Sequence, residues 1–286
     1  MKLKAFDMMQ WLQPKRDVCV VCSKMIGRAR IQEDVDPFHV KELNKRLCAD
    51  CVDQIAWIRN VQCMHCGRAQ RCPDCLIRSD SALWMNRSAV VYQSAMKEWL
   101  HRYKFQGDER LTPILGAMLM PAVERLSAQL IRKENLEDQW RRSKLPALKW
   151  LQKTGSACWD GVTSVPVSET RYRERGFNQA EQLARIVSEK AQIPYVELLV
   201  RSTHHVDARQ SHQGRGARFQ GLSSRYHVSV SAINTWLRLK HRNASLKLLL
   251  IDDVYTTGNT IHACADAIAE VCPFPVTIAS ATWARS

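Results

Sequence analysis

Acidic residues are scarce in this sequence. Asp and Glu number 28 against 42 Lys and Arg, which leaves a net charge of +14 and an isoelectric point near 9.5. That imbalance argues against a protein whose only partner is a small anionic metabolite. It favours a polyanion, either nucleic acid or an anionic membrane surface. Two nucleotide-binding fingerprints are absent. There is no G-x-G-x-x-G of the dinucleotide type and no P-loop with a Lys before Ser or Thr. Between Met1 and Leu12, Lys2, Lys4 and Asp7 interrupt the apolar residues, so no signal-peptide core can be read there. No uninterrupted run approaches the ~20 apolar residues that span a bilayer. These absences predict a cytoplasmic protein without a transmembrane segment, attached to the inner face of the membrane at most peripherally.

Cysteine, by contrast, is plentiful. Of eleven, eight fall into four C-x-x-C pairs: Cys19/Cys22, Cys48/Cys51, Cys63/Cys66 and Cys72/Cys75. Two thiolates three residues apart form the usual bite on tetrahedral zinc, and a thioredoxin-like role needs only one such pair. Two structural Zn²⁺ ions in Cys₄ sites are the simplest count. Sequential pairing joins 19/22 with 48/51 and 63/66 with 72/75. The five residues between Cys66 and Cys72 are few for a ligand loop, so the crossed pairing, 19/22 with 63/66 and 48/51 with 72/75, is equally open. Gly67 is expected to supply a positive φ after its knuckle. His65 is read as a turn residue, because the pairs already provide eight ligands. Residues 1–80 thus form a Cys-rich module that resembles a double zinc ribbon. It is too small to bury much core, so metal supplies its folding energy. Helical stretches are expected at 52–59 and from Leu76 onward. Residues 81–286 form the second domain.

In the second domain, Ala89–Tyr92 reads as a strand and 95–105 and 111–126 as amphipathic helices. Residues 127–157 are irregular and basic, with Arg141, Arg142 and Lys144 among seven cations. Gly161–Val167 reads as a strand, followed by an Arg-rich loop from Arg171 to Gln179 and a helix over 180–190. Arg175, Gly176, Phe177 and Asn178 in that loop suit a pyrophosphate, which calls for guanidinium and backbone donors. Residues 201–242 carry eight Arg or Lys, five His and the single acid Asp207.

The informative stretch is 248–268. Leu248–Ile251 forms an apolar run suited to a strand buried on both faces. Asp252 and Asp253 follow where that strand is expected to end. Thr256-Thr257-Gly258-Asn259-Thr260 then leads into an Ala-rich helix from about residue 261. A helix start offers unpaired N–H groups and partial positive charge to a phosphate. Thr256, Thr257 and Thr260 add hydroxyls, and Gly258 permits close approach. The two carboxylates would repel a phosphate at contact but accept hydrogen bonds from a sugar diol. The loop therefore suits a ribose 5-phosphate.

This segment closely resembles the phosphoribosyl-pyrophosphate (PRPP) signature of type I phosphoribosyltransferases: apolar strand, two acids, two variable residues, T-T-G-x-T. With the cysteine pairs and R-G-F-N-Q at 175–179, in that order, the whole chain resembles the ComF/GntX competence family. Leu100–Asp108 (LHRYKFQGD) matches that family's L-K-F-x-G-D segment. Gln210, Arg218 and Tyr226 match a later pattern, from which Gln213 and Gly221 depart. The resemblance implies an α/β fold, a doubly wound parallel sheet of type I phosphoribosyltransferase kind behind a zinc module. It implies PRPP bound with Mg²⁺, and a role in handling single-stranded DNA during natural transformation, with a competence helicase or recombination mediator as partner. A working phosphoribosyltransferase acting on a base or amine is the alternative. No general base stands out in the sequence to support one.

Overall fold

Alternation of apolar strands with amphipathic helices gives an α/β chain. The computed structural model describes residues 18–27, 42–70, 72, 75, 80–133, 158–202, 225–238 and 245–286. In chain order the elements used below are α1 Ala49–Asp53, β1 Leu83–Val91, α2 Ser94–Phe105, α3 Thr112–Lys133, β2 Gly161–Ser164, α4 Glu169–Arg175, α5 Gln179–Ala191, β3 Leu199–Arg201, β4 Tyr226–Val228, α6 Val230–Arg238, β5 Leu246–Tyr255, α7 Asn259–Val271 and β6 Val276–Arg285. The basic stretch at 134–157, most of 203–224 with Gln210, Gln213, Arg218 and Gly221, and the helix expected from Leu76 onward lie outside the described residues.

The chain divides into two compact units, Met1–Gln54 and Ile55–Ser286. The 1–80 span expected as one module contributes to both. Its first two cysteine pairs lie in the first unit and its last two in the second. In the first unit Leu43, Leu47 and Val52 are buried, and a tight turn between Val18 and Met25 carries Cys19 and Cys22.

In the second unit four strands make one parallel sheet in the order β1-β6-β5-β2. Leu248, Leu249, Leu250 and Ile251 are fully buried, as an inner strand of such a sheet requires. Helices α3 and α5 pack on one face. Helix α7, with the β3–β4 pair and α6, packs on the other. Trp236 of α6 reaches so close to Gly161 that a side chain there would meet its indole.

The stretch Glu109–Lys133 is long and apolar enough, by length and composition, to cross a membrane, with a mean hydropathy of 1.3 in an 18-residue window. It is the exception to the expectation that no run has that character. Two-thirds of that window (67%) is buried inside the fold, and Ile114, Leu115, Met118, Leu119, Val123 and Leu126 supply core residues.

Four local readings change. The helix expected at 52–59 is only α1, Ala49–Asp53, and Trp57 beyond it forms a bridge with Val90 of β1. Strand β2 is shorter than expected: it ends at Ser164, before Pro166. Strand β5 continues through both aspartates to Tyr255, because β6 keeps pairing with it: Asp252 sits opposite Thr282 and Tyr255 opposite Arg285. The Arg-rich loop is a helix, α4. Ser168 caps its start by accepting from Arg171 N, Glu169 pairs with Arg173 one turn on, and Gly176 closes it in the left-handed conformation at φ 79°. Gly176 therefore ends α4 rather than starting α5.

Candidate functional site

Strand β2 reaches only as far as Ile251 on its neighbour β5. Beyond that point β5 has β6 on one side and a cleft on the other. Such crevices at the carboxyl ends of parallel strands are where α/β folds bind ligands. Asp252 and Asp253 are the first residues of β5 past the end of β2, and both are half-buried. Asp253 donates its backbone N–H to Asp252 Oδ1 (2.8 Å) and pairs through its carboxylate with Lys104 Nζ (2.6 Å). Burial, and then the neighbouring Asp253 charge, push the Asp252 carboxyl up to about 8; Lys104 and Arg171 act in the opposite direction.

The α4–α5 connection enters the same cleft. Asn178 caps α5 by accepting from Ala180 N (3.1 Å), and its amide donates to Val165 O (3.1 Å) at the end of β2. Phe177 packs against Tyr103 with ring centroids 5.2 Å apart. Arg175 donates to Gln179 Oε1 (2.8 Å) and lies over the Phe105 ring (4.9 Å). Its Nε is buried without a partner among the described residues, and burial lowers its pKa while the Asp253 charge opposes that shift. The Arg175–Asn178 turn and the acid pair, 74 residues or more apart in sequence, are thereby brought together.

After Tyr255 the loop turns through exposed Thr256 and Thr257 to buried Gly258, which starts α7 at φ 81° with no side-chain cap. A Cβ on Gly258 would stand 2.2 Å from Tyr255 Oη, so only glycine fits. Tyr255 Oη is in turn 3.1 Å from His262 Nε2, and His262 Nδ1 is 2.6 Å from Ser81 Oγ. The half-buried Thr260 hydrogen-bonds through its side chain with buried Tyr226.

Sequence reasoning did not single out Lys104, Tyr255, His262 or Arg285 as site residues. The one available signal was Arg285, a lone cation at the end of an apolar strand. Its guanidinium is buried and donates to Tyr255 O (2.9 Å) and Thr256 O (2.6 Å), so it holds the start of the loop.

The cysteines resolve into two groups, Cys19/Cys22/Cys48/Cys51 and Cys63/Cys66/Cys72/Cys75, so the pairing is sequential. Within each group all sulfurs lie within 4.8 Å of one another. A tetrahedral ion with Zn–S bonds of about 2.3 Å holds its sulfurs about 3.8 Å apart, so the donor sets fit zinc. Ionisation is uneven among the crowded thiols. Burial pushes Cys19 up, but backbone hydrogen bonds from Cys48, Cys22 and Val21 outweigh it and bring it down to about 7. Burial and the sulfurs of Cys22, Cys19 and Cys48 push Cys51 far up. A divalent cation relieves that crowding by stabilising every thiolate at once.

The second group hangs on β1. Asn86 N donates to His65 O (2.6 Å), Asn86 Nδ2 to Cys66 O (3.1 Å), and Arg87 Nη1 to Met64 O (2.9 Å). Gly67 has the expected positive φ of 74°. These bonds tie the Cys63–Cys66 knuckle to β1.

No family model matches the chain. It is similar to three named proteins. The competence protein ComFC of Bacillus subtilis is 27% identical over 267 residues, 88% of this chain and 89% of that protein. ComFC of Streptococcus pneumoniae is 26% identical over 220 residues, 76% and 78% of the two chains. Competence protein F of Haemophilus influenzae is 25% identical over 223 residues, 76% and 81%. In each case the likeness runs over three-quarters or more of the chain, so the chain is similar to competence proteins of the ComF kind.

Proposed function

We propose that the cleft binds PRPP, or a sugar phosphate like it, together with Mg²⁺, and that the protein serves natural transformation by handling incoming single-stranded DNA. The observation that carries the ligand reading is the convergence of three features at the carboxyl ends of β2 and β5. These are an acid pair, a Thr-rich loop opening α7, and the cations Lys104, Arg171 and Arg175. In this reading the start of α7 and the hydroxyls of Thr256, Thr257 and Thr260 take the 5-phosphate. Asp252 and Asp253 accept hydrogen bonds from the ribose hydroxyls. The turn from Arg175 through Gly176 and Phe177 to Asn178 borders the pyrophosphate, to which Arg175 brings its charge. Mg²⁺, when bound, neutralises pyrophosphate charge, and the carboxylates of Asp252 and Asp253 are the residues that would hold it.

The DNA reading rests on the relatives' names as competence proteins and on charge. At the rim of the cleft Tyr172 (51% exposed) and Phe105 (61% exposed) stand among exposed Arg171 and Arg173. Interleaved cations and aromatics suit a single strand, whose bases stack while its phosphates pair. Such a protein works in the cytoplasm, at or near the inner membrane face, beside a competence helicase or a recombination mediator.

Calorimetry with PRPP and Mg²⁺ tests the ligand. The wild type should bind, and Asp252→Asn combined with Asp253→Asn should lose at least about a hundredfold in affinity, two charge-assisted hydrogen bonds being removed. Equal binding by the double variant refutes the assignment. Pyrophosphate release on addition of candidate acceptors would convert the reading from ligand binding to transfer.

A further inference from the structure

The two tetracysteine groups have the same ligands and different surroundings. The cation beside the first group, Lys24, is exposed and pairs with exposed Asp50 (3.0 Å). The second group is ringed by guanidinium groups. Arg68 Nη1 lies 4.0 Å from Cys72 Sγ, and Arg285 Nη2 lies 3.8 Å from Cys66 Sγ. Arg87 holds the backbone of the Cys63–Cys66 knuckle through Met64 O, and the same nitrogen donates to Asn86 O of its own strand. Arg87 and Arg285 are 2% and 4% exposed, and neither pairs with an Asp or Glu among the described residues. A buried guanidinium without a counter-charge is costly. A Zn²⁺ ion with four thiolates carries a net charge of −2, which supplies one.

Arg285 does more than neutralise that charge. From Nη1 it donates to Tyr255 O (2.9 Å) and Thr256 O (2.6 Å), the two carbonyls that begin the Thr-rich loop, and its guanidinium lies 4.7 Å from the centre of the Tyr255 ring. That ring is the surface on which Gly258 rests. A small cavity between the two sites is lined by Cys75 and His65 from the metal side and by Tyr255 and His262 from the loop side. One buried side chain thus contacts a metal ligand with one nitrogen and, with the other, the loop backbone and Ser286 O.

We propose that the second tetracysteine centre sets the geometry of the phosphate loop through Arg285, a positioning residue that touches neither substrate nor metal. A metal at the second centre would hold the Cys66 sulfur in place beside Arg285 Nη2. That sulfur orients the planar fork of Arg285, and the fork fixes the carbonyls of Tyr255 and Thr256. Coupling of this kind is reciprocal, so a ligand in the loop must also retain metal at the second centre. The ligand arm of the test rests on the PRPP reading above; the loop arm does not.

The loop arm uses hydrogen exchange at the amides of residues 256–260 in the full chain with both metals bound. Arg285→Met should keep two zinc ions per chain and raise exchange in this loop by about tenfold, while exchange in β1 and α3 stays as in the wild type. Cys72→Ser, which breaks the second centre, should do the same, and Cys19→Ser in the first centre should not. Arg285→Lys keeps the charge without the fork and should fall between wild type and Arg285→Met. If Cys72→Ser fails to fold, Arg285→Met decides alone. Unchanged loop exchange in Arg285→Met overturns the proposal.

The ligand arm follows zinc transfer to a chelator. PRPP with Mg²⁺ should slow release of one of the two ions in the wild type and of neither in Arg285→Met. If PRPP binds and both ions leave at unchanged rates, the coupling is refuted and the ligand reading stands. If PRPP does not bind while loop exchange still follows the second centre, the ligand reading fails and the coupling stands.

Discussion

The Asp252 carboxyl makes the ligand reading testable through pH. Burial and the adjacent Asp253 charge hold it at about 8, far above the ordinary 3.8. At pH 7 such a group is about nine-tenths protonated. A Mg²⁺–sugar phosphate complex that needs the carboxylate must ionise it first, which costs about 1.4 kcal/mol at pH 7. Apparent affinity should therefore rise about fiftyfold between pH 6 and pH 8 and level off above. The ligand's own phosphate ionises near pH 6 and adds to the slope. Asp252→Asn separates the two contributions, because it keeps the ligand's ionisation and removes the protein's. Calorimetry from pH 6 to 9 should show a steep wild-type profile and a much shallower variant one, with the variant weaker at pH 8. Stability supplies an independent check with a defined sign. The folded-state value lies above the unfolded one, so this group's contribution is fully present below about 4 and declines as pH rises through about 8. Asp252→Asn should then be the more stable protein at pH 8 to 9, by roughly 1–3 kcal/mol after allowance for partial solvent screening, and should lose that advantage near pH 4. Equal pH profiles for the two proteins, in binding and in thermal unfolding, would refute the reasoning.

Elemental analysis should find about two zinc ions per chain, and chelation should release both; a folded Met1–Gln54 unit without metal would contradict this. Gly258→Ala should abolish PRPP binding and cost roughly 1–3 kcal/mol, since it combines a positive φ with a Cβ against Tyr255; wild-type binding by this variant would remove the loop from the site. Single-stranded DNA affinity should fall steeply with salt. Arg171→Ala with Arg173→Ala should flatten that slope by about 1.4, and alanine at Arg141, Arg142 and Lys144 by about two, and salt-independent binding would return these charges to a solvated surface.

Local grammar accounts for what was legible in the sequence alone. The run Leu248–Ile251 can only be a strand buried on both faces, and T-T-G-x-T before an Ala-rich segment can only be a turn opening a helix. C-x-x-C repeated four times limits the chemistry to metal. Each strand, turn or single C-x-x-C pair lies within about ten residues, where spacing and geometry are nearly the same thing. The pairing of the cysteines was not legible, because loop length left both arrangements open; only the three-dimensional grouping of the sulfurs decided it. The extension of β5 through Asp252 to Tyr255 was decided by β6, whose register continues past the end of β2. Lys104 reaches Asp253 across 149 residues of chain, and Arg285 reaches Cys66 across 219. No periodicity encodes such contacts. They exist because the parallel sheet brings the carboxyl ends of β1, β2, β5 and β6 to one edge. A cation buried there needs a counter-charge, wherever in the sequence that charge comes from.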